Sequence, residues 1–369
     1  MAYAHITGWG MSVPDQVLTN DDLAKMVDTN DAWIRERTGI RERRIARANQ
    51  FPSTLGVEAS LKALQVANLK PTEIDLIICA SSTPEYIFPA TACLIQDQLG
   101  AVKAGAFDLS AACTGFIYAT NMAAQSIRSG SIKNALVIGA ETVSRFINWK
   151  DRNTCILFGD GAGAFVLQAS DIPGGVLSAV MRSDGSGGDL LSIPGGGSRH
   201  PMSEAAVHEG KQYIHMDGKE VYRFATRVMA QATKEVIDAA GLKIEDIQWI
   251  IPHQANIRII QAAAKGLKLP MERFVVNVER YGNTSTASIP IAMVEAVQNG
   301  QLKAGDKIVM VGFGGGLTWG ALAAQWTGPL PDGHRVHPEQ YRTYARLRSV
   351  LRRVFRFIEG LIWGRNSGA

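Results

Sequence analysis

Two stretches of this chain, 173 positions apart, carry one pattern: ANLKPTEIDLII at residues 67–78 and AGLKIEDIQWII at residues 240–251. At the same offset the apolar run ALVIG at 135–139 falls on IVMVG at 308–312, and Cys113 falls on Thr286. A repeat of this kind calls for two similar α/β halves that face each other. The turns at Cys113 and Thr286 then occupy equivalent places in the two halves. Residues brought to these turns and to nearby strand ends meet in one central crevice.

Cys113 lies in DLSAACTGFIYA, where Ala106–Leu109 reads as the end of a buried strand, Ser110–Thr114 as a tight turn, and Gly115 onward as a helix. Unpaired backbone N–H groups at a helix N-terminus favour thiolate over thiol, which makes Cys113 a candidate nucleophile. On this turn alone, a small buried hydrophobe is an equally good reading. His253 follows the apolar run Trp249-Ile250-Ile251-Pro252, at a strand end of the sort where open α/β sheets place chemistry. Asn283 sits in ERYGNTSTASIP, read as a strand, a small polar turn and a helix start. A lone His or Asn in a turn is usually a satisfied polar group. The three together carry more weight than any one.

With 369 residues, 46% hydrophobic and 20% charged, the chain can bury one large core or two medium ones. The start MAYAHITGWGMSVP has no charged region followed by an apolar run, and no stretch reaches about 18 uncharged apolar residues, so neither a secretory signal nor a membrane span is expected. Cys79, Cys93, Cys113 and Cys155 form no CxxC spacing, which fits a reducing cytoplasm. His200, His208 and His215 are too far apart for local metal ligation, and no metal site is expected. Gly159–Gly163 precedes a strand and lacks the order of a nucleotide loop, so it reads as a packing turn. The glycine-rich stretch from Asp184 to Gly197 reads as a long flexible or functional loop near the mouth of a tunnel.

AWIRERTGIRERR near residue 33, ACTGF at 112, DRNTCILFGDGAGA at 151, SDGSGGDLLSIPGGGSR at 183, HQANIRII at 253, YGNTSTASIP at 281 and GFGGGLTWG at 312 together resemble the ketoacyl-acyl-carrier-protein synthase III family of the thiolase superfamily. The resemblance covers about the first 328 residues in the family's order. It implies a thiolase-like α/β fold with five layers in αβαβα order, an N-terminal half at 1–172 carrying the nucleophile and a C-terminal half at 173–328 carrying His and Asn. It also implies a homodimer and an enzyme that joins a short acyl-coenzyme A to a malonyl-acyl-carrier protein, starting fatty-acid synthesis. The alternative within the same fold is an acyltransferase or condensing enzyme of specialised, polyketide-type metabolism. No cofactor is implied beyond the coenzyme A thioester, which is substrate.

A thiolate can attack the thioester carbonyl and release the coenzyme thiol. The resemblance assigns the oxyanion to the backbone N–H groups of Cys113 and Gly315. Decarboxylating the malonyl thioester needs two donors for the developing enolate, and His253 and Asn283 supply them. In a protease the same residue types work differently, with His deprotonating the thiol and Asn orienting the His, but that leaves HQANIRII and GFGGG unexplained. By resemblance Trp33 and Arg152 sandwich the adenine of coenzyme A, Arg37 meets its phosphates and Asn256 its pantetheine arm. Phe313 stands beside the decarboxylation site, and Arg223, Arg258 and Lys265 form a docking patch for an acidic carrier protein, where charge steers encounter. Phe88 matches a position that reaches into the partner subunit's acyl channel, so a bulky ring there points to acetyl or another short primer. Phe146, Ile147, Leu191 and Met216 are candidates for reshaping that pocket.

The chain departs from the family after Gly328, where 329–369 form an extension. Residues 331–369 hold eight arginines against three acids, net +5, whereas the whole chain is +4, so the tail alone makes the protein basic. Tyr344, Leu347, Leu351, Val354, Phe355, Ile358 and Leu361 recur on one face of a helix, and Arg342, Arg346, Arg352, Arg353 and Arg356 fall on the other. Three readings stand for this cationic amphipathic helix: packing onto the enzyme body, peripheral contact with an anionic membrane through 341–363 with Phe355, Phe357 and Trp363 inserted, or recruitment of the carrier protein. Nucleic acid is not expected as a partner, since basic and aromatic residues do not alternate elsewhere.

Overall fold

The computed structural model describes residues 2–328 and 336–362. Its first sheet contains β1 (Tyr3–Ser12), β2 (Leu76–Ala80), β3 (Gly105–Leu109), β4 (Asn134–Glu141) and β5 (Gly161–Ser170), in the order β1-β5-β4-β2-β3. Strand β2 runs parallel to β3 and β4, while β5 is antiparallel to β4 and β1. The second sheet contains β6 (Gly175–Ser183), β7 (Trp249–Pro252), β8 (Lys307–Gly314) and β9 (Thr318–Gln325), in the order β7-β8-β9-β6. Here too one parallel pair, β7 with β8, continues into antiparallel neighbours.

The 173-residue offset read from the sequence carries through the folded elements. Strand β4 at 134–141 maps onto β8 at 307–314, and the turns Ala112–Thr114 and Ser285–Ala287 are both short 3₁₀ segments. Even backbone signs agree, because Ala112 and Ser285 have φ of 46° and 49°, a left-handed conformation that non-glycine residues seldom adopt.

Two expectations about strands are corrected. Strand β3 lies at an edge of its sheet and is half-exposed, with Phe107 41% accessible, so it is not a buried strand. Ahead of Asn283 stands the short helix Val278–Tyr281 in place of a strand. The second sheet has reduced its fifth strand to a single parallel bridge between Ile250 and Phe274. No second apolar run follows Phe274-Val275-Val276, so the chain turns into the short helix.

Between the sheets lie helices α3 (Gly115–Arg128) and α6 (Ser288–Gln298), each entered directly from one of the paired turns. Helix α6 is buried from Ser288 through Ala296, as befits a helix sandwiched on all sides. Phe116, Ile117, Ile289 and Met293 from these helices join residues of both sheets in one core. Outside the first sheet pack α1 (Pro52–Val66) and α2 (Thr91–Leu99), and outside the second pack α4 (Gly218–Ala239) and α5 (Ile257–Leu267), which completes the five αβαβα layers.

The extension forms α7 (Pro338–Ile362), with proline at the start, where its missing N–H costs nothing. Its first turns pack on α2, with Ala345 buried against Gly100 and the Ser349 hydroxyl donating to Asp97 Oδ2 at 2.9 Å, and just ahead of the helix the Val336 N–H donates to Oδ1 of Asn68, beyond the end of α1, at 2.8 Å. Trp363 and the side chain of Leu361 lie outside the described residues. Among the described residues, no helix is long and apolar enough to cross a membrane, and no group of three His, Cys, Asp or Glu is placed to hold a metal ion.

Candidate active site

Three chain-distant side chains, Cys113, His253 and Asn283, line one cavity of about 1040 Å³ between the halves. Each is delivered by a different local device. Cys113 closes the left-handed turn at Ala112 and precedes α3. His253 follows β7 and is fixed there by its own N–H, which donates to Val311 O at 2.8 Å. Asn283 is tied through its backbone to the 157–159 segment, donating to Leu157 O and accepting from Gly159 N.

The close approach of β8 to the Cys113 turn demands glycine. A Cβ on Gly314 would lie 2.7 Å from the Cys113 nitrogen and 3.0 Å from the Ala112 Cβ. Among the turn and loop hydrogen bonds of the described residues, neither the Cys113 nor the Gly315 N–H donates to a backbone carbonyl. Both amides are therefore available to an anionic oxygen at this point, where Gly315 and Cys113 share the wall of a second, smaller cavity.

Burial dominates the electrostatics. It pushes the Cys113 thiol up to about 12, outweighing the nearby Ser285 hydroxyl, which lies 3.4 Å from Sγ and lowers the value, while the Glu141 carboxylate adds to the rise. The helix-start argument for a resting thiolate is thus overturned by desolvation, which a sequence does not display. Burial also holds His253 down at about 3, so its imidazole is neutral at physiological pH. Nδ1 of His253 lies 2.5 Å from the Ser288 hydroxyl, and that oxygen accepts from the Gln254 N–H at 3.3 Å. The serine proton is therefore free for Nδ1, which favours a proton on Nε2, the ring atom with no protein partner. Asn283 Oδ1 already accepts from the Ser285 N–H at 2.9 Å, leaving its amide nitrogen to donate. Phe313 stands edge-on to the imidazole with ring centroids 5.3 Å apart. The cavity thus combines a protonated thiol with two N–H donors and a hydrophobic wall.

Ser285 and Ser288 were not singled out by sequence reasoning, although both lie in the NTSTAS turn. Serines in a small polar turn look like ordinary turn chemistry, and only the fold brings one to Cys113 and the other to His253.

Trp33, Arg37, Arg152, Asn256 and Arg258 line the outer part of the same cavity. The Arg37 and Arg152 guanidinium carbons lie 4.3 and 5.1 Å from the Trp33 ring centroid, so Arg152 rests on the ring and no gap for an adenine separates the two. Opening such a gap requires Arg152 to leave Trp33 and its exposed pairing with Asp28. Asn256 caps α5 through the Arg258 N–H and donates to Arg37 O at 2.9 Å, which leaves one amide hydrogen for a ligand. Arg223 on α4 and Arg258 and Lys265 on α5 are exposed, with Arg258 over Tyr222 and Arg223 paired to Glu220.

The smaller cavity, about 200 Å³, runs behind Cys113 and is lined by Ser82, Thr83, Val143, Phe158, Leu191 and Ser285 among others. Leu191 lines both cavities and Met216 only the larger, whereas Phe146 and Ile147 line neither. The glycine-rich loop contributes Asp189 and Leu191 to the larger cavity and Ser192 and Ile193 to the smaller. Phe88 lines neither cavity of its own chain and is 84% exposed beside Ile87 at 83%.

Residues 107–185 match the family profile described as 3-Oxoacyl-[acyl-carrier-protein (ACP)] synthase III, and residues 237–326 match the profile for its C-terminal part. Beta-ketoacyl-[acyl-carrier-protein] synthase III of Desulfitobacterium hafniense strain DCB-2 is 54% identical over 327 residues, covering 89% of this chain and 99% of the relative. The enzyme of the same name from Roseiflexus sp. strain RS-1 is 51% identical over 325 residues, 88% of this chain and 99% of its own. In three dimensions the chain is similar to the crystal structure of 3-oxoacyl-[acyl-carrier-protein] synthase III from Aquifex aeolicus VF5, with a TM-score of 0.81, 48% identity, and coverage of 88% of this chain and 100% of that one.

Proposed function

Because the chain belongs to the 3-oxoacyl-[acyl-carrier-protein] synthase III family, we propose that it is the acyltransferase that starts fatty-acid synthesis, condensing an acyl-coenzyme A primer with malonyl-acyl-carrier protein. The observation that carries the residue roles is that Cys113, His253 and Asn283 line one cavity. Cys113 Sγ attacks the primer thioester; its proton leaves with the coenzyme thiol and an acyl-enzyme remains. The Cys113 and Gly315 amides hold the oxyanion during this step. Malonyl-carrier protein then enters the vacated arm. As its carboxylate leaves as carbon dioxide, the enolate oxygen is held by the His253 Nε2–H and the Asn283 amide, both supplied without proton transfer. The carbanion attacks the acyl carbonyl, the C–S bond to Cys113 breaks with the sulfur leaving as thiolate, and the thiolate takes up one proton from solvent as product departs. Phe313 keeps water from the site and favours loss of charge from the carboxylate.

Trp33, Arg37, Arg152 and Asn256 bind coenzyme A, with Arg152 swinging off Trp33 to admit the adenine. Arg223, Arg258 and Lys265 steer the acidic carrier protein to the mouth. A homodimer covers the exposed Tyr86-Ile87-Phe88 segment and places Phe88 in the partner's primer channel, and the small cavity behind Cys113 supports acetyl or another short primer. Residues 1–172, 173–328 and 329–369 act as the nucleophile half, the His/Asn half and the extension. The enzyme works in the cytoplasm, with peripheral contact to an anionic membrane through 341–363. Incubation with labelled acetyl-coenzyme A and malonyl-carrier protein is expected to release carbon dioxide and give a four-carbon 3-ketoacyl-carrier protein. Product forming only with a different acceptor contradicts this reading.

A further inference from the structure

Helix α7 presents its two faces the opposite way from an ordinary packed helix. The side that touches the enzyme is small and polar: Ala345 and Ser349 meet Gly100 and Asp97, and Tyr341 lies along the same line. At about 100° per residue, Leu347, Leu351, Val354 and Ile358 point away from that contact, roughly opposite Ala345. They are 59%, 47%, 47% and 41% exposed, and Phe355 and Phe357 beside them are 63% and 65% exposed. Beyond Ser349 the line that faced the enzyme becomes Arg352 and Arg356, and residues 350–359 are all exposed.

An outward apolar arc rimmed by cations fits one class of surface better than the others. Between residues 338 and 362 the helix holds six arginines against Glu339 and Glu359, net +4. Arg346 and Arg353 border the arc on the Phe357 side and Arg348 on the Phe355 side, where long side chains can reach phosphates while the rings stay in the apolar layer. A second copy of the same helix would bring these cations against their like. The carrier protein is not favoured either, because α7 sits on α2, whereas the cavity mouth is lined by residues of α4 and α5. The alignments with the relatives described above span at most 327 residues, so α7 is an addition to the shared enzyme.

We propose that α7 is a bracket: its first three turns are clamped to the enzyme body, and its outward face, Leu347, Leu351, Val354, Phe355 and Ile358, seats the body on an anionic lipid surface in one orientation. This deepens the peripheral attachment proposed above and rests on it.

Co-flotation of the full-length protein with vesicles tests both levels. Wild-type protein is expected to bind phosphatidylcholine vesicles containing phosphatidylglycerol and to bind pure phosphatidylcholine far more weakly. Leu351→Glu with Val354→Glu is expected to weaken binding on the order of a hundredfold or more, and each of Arg346→Ala, Arg348→Ala and Arg353→Ala about fivefold. Condensation with soluble substrates stays unchanged in all of these variants, which shows that they fold. Absence of wild-type binding to either vesicle overturns the attachment itself, and equal binding to both overturns the anionic surface. Binding that survives Leu351→Glu with Val354→Glu overturns the bracket face while leaving attachment standing. A concentration-dependent increase in mass in light scattering, abolished by the same double variant, assigns the face to a second copy and also overturns the proposal.

Discussion

The turns at Ala112–Thr114 and Ser285–Ala287 share a backbone and differ in what faces them. Across from the second stands Glu141, whose buried carboxylate accepts from the Thr286 hydroxyl and amide, the Ser82 amide and the Thr83 hydroxyl. At the equivalent place across from the first stands Gly314, with no side chain at all. One turn is thus held by a buried carboxylate, while the other is met by the bare backbone of β8, pressed close against it. The other positions are distributed in the same complementary way: Ala80 stands where the second half has His253, and Ser110 where it has Asn283. The duplicated frame places the cysteine in one half and the imidazole and carboxamide in the other, the division of labour that the proposed function requires. The three side chains meet in the cavity between the halves.

The comparison breaks most severely if the two turns prove interchangeable. Cys113→Ala is expected to lower condensation on the order of 10³-fold or more, while Thr286→Ala leaves it within severalfold and costs about 1–3 kcal/mol of stability by removing a donor from buried Glu141. Steady-state rates and chemical denaturation measure the two effects. Comparable losses of activity in both variants would erase the distinction.

A smaller effect is expected from crowding the Cys113 turn. Gly314→Ala pushes a methyl group onto the Cys113 amide and is expected to slow acyl-enzyme formation about 100-fold, as a misplacement of about an ångström does. Single-turnover acylation by mass spectrometry reads it directly. Acylation at the wild-type rate would mean that the close approach at Gly314 has no bearing on the nucleophile.

The smallest effect concerns pH. The unfolded His253 titrates near 6.5 and the folded one at about 3, so the unfolded state takes up more protons between those values and stability falls as pH drops through that window. The Cys113 thiol is raised from 9.0 to about 12, so its contribution is complete below pH 9 and is lost as pH rises toward 12. Unfolding midpoints measured against pH are expected to fall less steeply on the acid side in His253→Asn and on the alkaline side in Cys113→Ser. Unchanged slopes would show that these groups are not desolvated in the folded protein.

Much of this division was legible in the sequence because the offset of 173 residues preserves both hydrophobic runs and turn chemistry. It located the paired turns and, through them, the convergence of Cys113, His253 and Asn283 on one cavity wall. What escaped was whatever depends on neighbours far away in the chain. The edge position of β3 follows from strand order, not from its own apolar residues. The loss of a strand ahead of Asn283 follows from a short helix that ERY does not announce. The protonation of Cys113 follows from burial among residues of both halves, which outweighs the helix start that the sequence does show. For α7 the periodicity revealed both faces, but only the packing of Ala345 and Ser349 shows that the apolar one is turned outward.

The division of labour is tested most directly by measuring the two half-reactions separately in Cys113→Ala, His253→Ala and Asn283→Ala. Cys113→Ala is predicted to form no acyl-enzyme yet still release carbon dioxide from malonyl-carrier protein. His253→Ala and Asn283→Ala are predicted to form acyl-enzyme, seen by intact mass, while carbon dioxide release falls about 10²- to 10³-fold, as when one oxyanion donor is removed. If His253→Ala instead abolishes acylation of Cys113 and spares decarboxylation, the imidazole is a base for the thiol and the account is wrong.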